Sequence, residues 1–211
     1  MLISTESISL NYVKYSETSI IVKCFTKSDG LKSYLIKGIR SSKKKSLNIG
    51  LFQPLTIIEI DANHKNKGNL ESIRSAKISN SYKTVHIDIF KNSIVLFLSE
   101  VLAKSIKEEE KNIELFKFVK KSMIWLDNSE KFSNFHIQFL VKLLSFLGIS
   151  PEKTEKTMNG FNMIDGVFCE YDQSEFCING ELVDYFKSFL GTEFDDVVGE
   201  VNTSNKRKEL I

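Results

Sequence analysis

The hydrophobic period of this chain changes once, and that change limits the fold more than any single motif. Up to about residue 80, apolar and polar residues alternate in short β-rich runs, the pattern of half-buried strands. From about Asp88 the apolar residues recur at three- and four-residue spacing, the pattern of amphipathic helices. Strands followed by helices, without interleaving, predict an α+β chain in which an all-β part precedes an all-α part. The expected division is residues 1–80 and 81–211, with the boundary between 78 and 86.

The β part reads as five strands. Ser7–Val13 alternates loosely and Tyr15–Thr18 makes a turn. Ser19–Thr26 places Ile20, Val22 and Cys24 on one face and Ile21, Lys23 and Phe25 on the other. Lys27–Gly30 is a hairpin turn, since Asp29-Gly30 accepts positive φ. Lys32–Ile36 returns, with Tyr34 and Ile36 on one face, and runs into a basic stretch holding Lys37, Arg40, Lys43, Lys44 and Lys45. Phe52–Ile60 is a fourth strand, with Pro54 near its start where a missing donor is tolerated. After the polar segment Asn63–Asn69, Leu70–Ala76 is the fifth. Five short strands of this spacing fit a small Greek-key barrel of the OB type, and an SH3-like barrel fits the same pattern.

In the α part, Ile89, Ile94, Phe97, Leu98, Val101, Leu102 and Ile106 make an apolar face that ends before the acidic run Glu108–Glu110. Ile113–Leu126 follows with Leu115, Phe116, Val119, Met123 and Leu126 at helical spacing. Ser133–Leu147 is a third helix, stopped by Gly148 and Pro151. An irregular insert occupies about residues 151–180, Leu182–Leu190 is a short helix, and Thr203–Ile211 begins another.

The net charge of +2 conceals an asymmetry. Residues 1–80 carry 13 Lys and Arg against 6 Asp and Glu, whereas the remainder carries 16 against 21. The basic half suits a polyanion and the acidic half a different partner. Three cysteines, Cys24, Cys169 and Cys177, are an odd number without paired spacing, which argues against a disulfide framework and for a reducing compartment. Met1–Ser4 lacks the cationic start of a signal peptide, and the longest apolar run, Ile94–Leu98, is far shorter than a bilayer crossing, so the expected location is cytoplasmic.

No catalytic constellation stands out, and the chain is expected not to be an enzyme. His64, His86 and His136 fall in a loop, a junction and a helix, with no metal-ligand spacing, and phosphate-cradling glycine loops and nucleophile elbows are absent. What remains is a basic set with aromatics: Lys14, Lys23, Lys32, Lys37, Arg40, Lys43, Lys44 and Lys45, with Tyr15, Phe25 and Tyr34 among them. Cations that follow a backbone and rings that stack on bases suit single-stranded nucleic acid. Tyr34 shares a face with Lys32 and is expected to be exposed, whereas a core ring and a stacking ring both fit Phe25. The alternative functions are a protein-interaction adaptor whose barrel has lost nucleic-acid binding, and an RNA-binding barrel.

Several stretches, in order, resemble the bacterial recombination mediator RecO family: Ile8-Ser9-Leu10, Tyr15–Ser19, Phe25-Thr26 with Gly30, Lys37–Arg40 and Leu51–Leu55. Phe135–Leu144 with Gly148 and Pro151 is similar to that family's central helix. The resemblance implies an N-terminal OB barrel and a C-terminal helical domain. It implies binding of single- and double-stranded DNA, strand annealing, and loading of recombinase onto coated DNA together with RecR, at the bacterial nucleoid. It also implies contact with the acidic C-terminal tail of single-strand-binding protein. For that tail, Lys117, Lys120 and Lys121 beside Phe116, Val119 and Trp125 offer a cationic rim next to an apolar groove; lysines on the wet face of a buried helix fit the same pattern. Many members carry a four-cysteine zinc site. Here Lys156 and Asn159 stand where the first pair falls, Cys169 matches the third position and Asp172 the fourth, so a zinc-free, degenerate finger-like region and no cofactor are expected. The family also continues with a longer basic helix after the segment resembling Thr203–Ile211.

Overall fold

The computed structural model describes residues 1–39, 47–65, 70–107, 111–151, 158–171 and 176–196. They fall into two compact units, Met1–Glu130 and Lys131–Ile211.

The first unit is built on five antiparallel strands, β1 (Leu2–Lys14), β2 (Ile20–Thr26), β3 (Gly30–Ile36), β4 (Ile57–Asn63) and β5 (Ser72–Asn80). Their order is β3-β2-β1-β4-β5. The two edges then meet: Leu35 N–H donates to the Glu71 carbonyl and Glu71 N–H to the Ser33 carbonyl, both at 2.9 Å, a parallel bridge centred on Tyr34 and Glu71. That contact joins the two edges of the sheet and fits an OB barrel. Alternation fills the interior with Ile20, Val22, Cys24, Tyr34, Ile36, Phe52, Ile58, Ile60 and Ala62.

Three strand boundaries differ from expectation. β5, expected over Leu70–Ala76, runs over Ser72–Asn80. The segment expected as one strand from Phe52 begins as a 3-10 turn at Ile49–Phe52, and β4 starts only at Ile57. Pro54 supplies no donor, and Leu55 beyond it sits at φ 55, a backbone region that a strand does not use. β1 is longer than expected because it spans two neighbours. Leu2–Ile8 pair with β4, Ser7–Ser9 already pair with β2 as well, and beyond a bulge between Ser9 and Asn11 the residues Asn11–Lys14 pair with β2 alone.

Helices α1 (Ile89–Ser105) and α2 (Ile113–Asn128) belong to the same unit as the barrel. Asp88 caps α1 by accepting from Phe90 and Lys91 N–H, and Asn112 caps α2 by accepting from Leu115 N–H. The five apolar residues expected to face inward from α2 are all buried, and Phe116 lies 5.7 Å from Phe25, ring to ring. In α1 the expected face fails at Ile89, which is 74% exposed, while Val95, Leu98 and Leu102 are buried. That helix is apolar on several sides, so its period does not single out the buried stripe. The junction before α1 is held by Asp127, whose carboxylate accepts from the N–H groups of Lys83, Thr84 and Val85. Burial works to raise the Asp127 pKa, but those donors and the Thr84 hydroxyl outweigh it and hold the carboxyl below its usual range.

In the second unit, α3 (Phe135–Phe146) packs Ile137 and Val141 against Phe189 of α4 (Glu181–Phe189). The insert expected to be irregular contains a small sheet, β7-β6-β8, made of β6 (Gly160–Asn162), β7 (Val167–Cys169) and β8 (Cys177–Asn179). Strands of three residues are too short to announce themselves by alternation; the sheet is held by an aromatic cluster of Phe161, Phe168 and Phe186, with centroids 5.1 to 5.7 Å apart. The segment Thr203–Ile211 lies outside the described residues. No described helix is long and apolar enough to cross a membrane.

Candidate nucleic-acid interface

The barrel register sorts the expected cations into three environments. On adjacent strands Lys14 pairs with Ile20 and Ile20 with Ile36, so Lys14 and Lys37 lie at the same end of the barrel. Two strand spacings separate their backbones, roughly 10 Å. Both side chains are exposed. Every residue from Asn11 to Thr18 is exposed too, because β1 has left β4 and pairs only with β2. Tyr12, at 41% exposure, and Tyr15, at 61%, therefore stand beside Lys14. In OB barrels the loop joining the first two strands is one of the segments that contact oligonucleotides. Tyr12 was missed by reading β1 as a loosely alternating strand; the triplet of Tyr12, Lys14 and Tyr15 just before a turn was the available signal.

Lys23 points out of the barrel but does not reach solvent freely: its Nζ donates to the Ala103 carbonyl at 3.0 Å, in the last turn of α1 where a cation also meets the negative end of the helix dipole. Phe25 is a core ring, 1% exposed against Phe116, which settles its two readings.

Lys32 and Tyr34 correct the expected surface. Alternation turns both inward, Tyr34 is 0% exposed and Lys32 is 7% exposed, so neither ring stacking nor a phosphate contact is open to them. The Tyr34 hydroxyl lies 2.7 Å from His64 Nε2, and His64 Nδ1 lies 3.3 Å from an Asp29 carboxylate oxygen. Burial pushes the Tyr34 hydroxyl well above its usual range, and Asp29 and Glu71 add to that. Burial also lowers the His64 pKa, the opposing pull of Asp29 and Glu71 being smaller. A tyrosine next to a lysine at period two reads the same on either face; only the barrel's closure fixes which face is inside. Arg40, Lys43, Lys44 and Lys45 lie outside the described residues.

The α2 lysines are likewise divided. Lys120 forms a 2.5 Å ion pair with Glu6 of β1, tying the helix to the barrel. Burial works against the Glu6 carboxylate, yet the Lys120 ammonium and the Ser79 hydroxyl hold its pKa below the usual range. Lys117 pairs with Glu114 one turn away at 2.8 Å, and Lys121 is exposed. Phe116 and Val119 are buried, so the expected apolar groove between these lysines is filled by the protein's own core.

Among the described residues no three His, Cys, Asp or Glu side chains are placed to hold a metal ion. Asn159, expected at one of the ligand positions, accepts from Tyr171 N–H through Oδ1 at 2.9 Å. Lys156 and Asp172 lie outside the described residues.

A five-stranded antiparallel barrel backed by helices fits the OB class of barrels. Comparison with known families narrows this. Residues 1–82 match the recombination protein O N-terminal family and residues 86–210 the recombination protein O C-terminal family. The chain is 42% identical over 195 residues to the DNA repair protein RecO of Christiangramia forsetii, covering 92% of this chain and 82% of that protein. It is 40% identical over 211 residues to the RecO of Flavobacterium psychrophilum, covering 100% and 88%, and 43% identical over 196 residues to that of Flavobacterium johnsoniae, covering 93% and 82%. The chain belongs to the recombination protein O family, and its role is in DNA repair and recombination.

Proposed function

We propose that this chain is a non-catalytic recombination mediator that binds single- and double-stranded DNA, anneals strands and, with RecR, helps load recombinase onto coated single strands. The observation that carries the DNA-binding reading is the barrel end where Tyr12, Lys14, Tyr15 and Lys37 are all exposed. The chain leads from Lys37 directly into Arg40, Lys43, Lys44 and Lys45, which extend the same cationic set in sequence. Lysines there neutralise phosphates without reading bases, and the two tyrosines offer stacking faces that tolerate any base. Bases are free to stack only when unpaired, so the rings favour single strands while the lysines serve both forms. The acidic tail of single-strand-binding protein is a further partner, with Lys117 and Lys121 as the cations left facing outward on α2. The small β6–β8 sheet takes the place of the family's zinc-binding region without metal. The working location is the cytoplasm, at the nucleoid.

Fluorescence anisotropy with a labelled oligonucleotide and its duplex tests this reading. Changing Tyr12 and Tyr15 to Ala is expected to weaken single-strand binding by about 1–3 kcal/mol per lost stack and to leave duplex binding nearly intact. Equal losses on both forms would remove the stacking role, and no loss on either would move the DNA site elsewhere.

A further inference from the structure

The second unit brings two thiols together that nothing in the DNA-binding reading uses. Cys169 ends β7 and Cys177 opens β8, the two outer strands of the small sheet, and their Sγ atoms are 3.3 Å apart. Pairing explains how side chains reach each other across a middle strand. Cys169 sits opposite Gly160, and Cys177 opposite Asn162, so both point to the same face of β6. Gly160 is the open position between them. A Cβ built there would lie 2.8 Å from Cys177 Sγ and 3.1 Å from the Tyr171 Cα, so the sulfur occupies space that any other residue would claim. Cys177 is 6% exposed, while Cys169 is the more accessible of the two.

We infer that Cys169 and Cys177 form a peroxide-responsive dithiol that closes to an intramolecular disulfide strapping β7 to β8. The chemistry balances with a hydroperoxide as oxidant. The more exposed Cys169 thiolate attacks the peroxide oxygen, giving a sulfenic acid and one water (or alcohol) once the proton is returned. The neighbouring Cys177 sulfur then attacks the Cys169 sulfur, the S–S bond forms, and a second water leaves. Two electrons pass from the sulfurs to the peroxide. The sulfurs must approach by about 1.3 Å to reach bonding distance, and the backbones of β7 and β8, on either side of β6, must draw together with them. Strands of three residues at the rim of a small sheet can accommodate that shift, and a thiol reductant reverses it. Cys24 cannot join in. It is 0% exposed inside the barrel, and burial pushes its thiol up to about 12, far from the thiolate that reacts.

The test uses the full chain, reduced and then freed of reductant, with hydrogen peroxide as the probe. Intact mass after brief exposure is expected to fall by two hydrogens, and peptide mapping after alkylation to recover Cys169 linked to Cys177. Dithiothreitol is expected to restore the starting mass. Cys169→Ser and Cys177→Ser are each expected to abolish the loss, and Cys24→Ser to leave it unchanged. Gly160→Ala, which displaces the Cys177 sulfur, is expected to slow closure at least several-fold. Circular dichroism on each variant confirms folding before oxidation, and a variant that has lost its fold is replaced by the alanine exchange at the same cysteine. Three thiols still open to alkylation after peroxide would overturn the inference, as would sulfinic acid on Cys169 without a crosslink or disulfides formed only between chains.

Discussion

At the barrel end where β1 passes to β2, Lys14 reaches solvent beside Tyr12 and Tyr15; on the wall that faces the helices, Lys23 and Lys120 end on protein. Lys23 closes the last turn of α1 through the Ala103 carbonyl, and Lys120 meets Glu6. Lys32, inside, is nearly as buried as the apolar core around it. The residue type is the same in all these places and the consequence is opposite. A solvated lysine is held loosely enough to exchange its counterions for phosphates, whereas a lysine committed to a carboxylate or carbonyl must break that bond first. A basic half-chain is therefore a weaker statement about binding than its charge count implies, since part of that charge holds the barrel to its helices.

Stability responds most strongly on the wall. Replacing Lys120 by Glu sets two carboxylates against each other at a partly buried site and is expected to lower stability by about 2 kcal/mol, read from urea unfolding, less than a fully buried pair costs. Oligonucleotide affinity measured on the folded fraction should hardly change. A variant of undiminished stability that loses DNA binding would place Lys120 with the binding lysines instead.

At the end, replacing Lys14 and Lys37 together by Ala should leave unfolding almost unaltered and reduce the slope of log K against log salt on single strands by about 1.4, since each phosphate contact contributes about 0.7. An unchanged slope would mean that neither lysine meets a phosphate. The loss should be alike on unrelated sequences, because contacts to phosphate carry no base information.

Acid offers a subtler probe of the interior. His64 and His86 both have pKa values held below the usual range by burial, so the folded state binds fewer protons than the unfolded chain. Their contribution to stability is complete above the unfolded value of about 6.5 and is lost as pH falls through the folded values. The urea midpoint should be level between pH 7.5 and 9 and decline below about pH 6.5. Replacing His64 by Gln should flatten part of that decline; an identical decline in the variant would assign it elsewhere.

The smallest effect belongs to Lys23. Exchanging it for Met retains the apolar stem and removes one carbonyl contact, for an expected loss of about 0.5–1 kcal/mol and no change in the salt slope. A change in slope would return Lys23 to the DNA surface.

The order of strands before helices, the Asp29-Gly30 turn and the buried face of α2 are legible in the amino-acid sequence, because each is written in local period or turn chemistry. The Gly30 φ of 64 and the complete burial of Leu115, Phe116, Val119, Met123 and Leu126 follow from such short-range patterns. The family was also legible, through spaced stretches distributed over both halves. Which face of β3 is the interior, and with it the removal of Lys32 and Tyr34 from the surface, follows from the folded barrel alone. A period of two names two faces but not the inner one, and the choice depends on closure between Tyr34 and Glu71, 37 positions apart. The same holds for Lys120 and Glu6, separated by 114 positions, and for Cys169 and Cys177, whose contact depends on a glycine in the strand between them. Local sequence sets the alternatives at each position; pairing across the chain selects among them, because burial is a property of the assembled barrel and not of any segment within it.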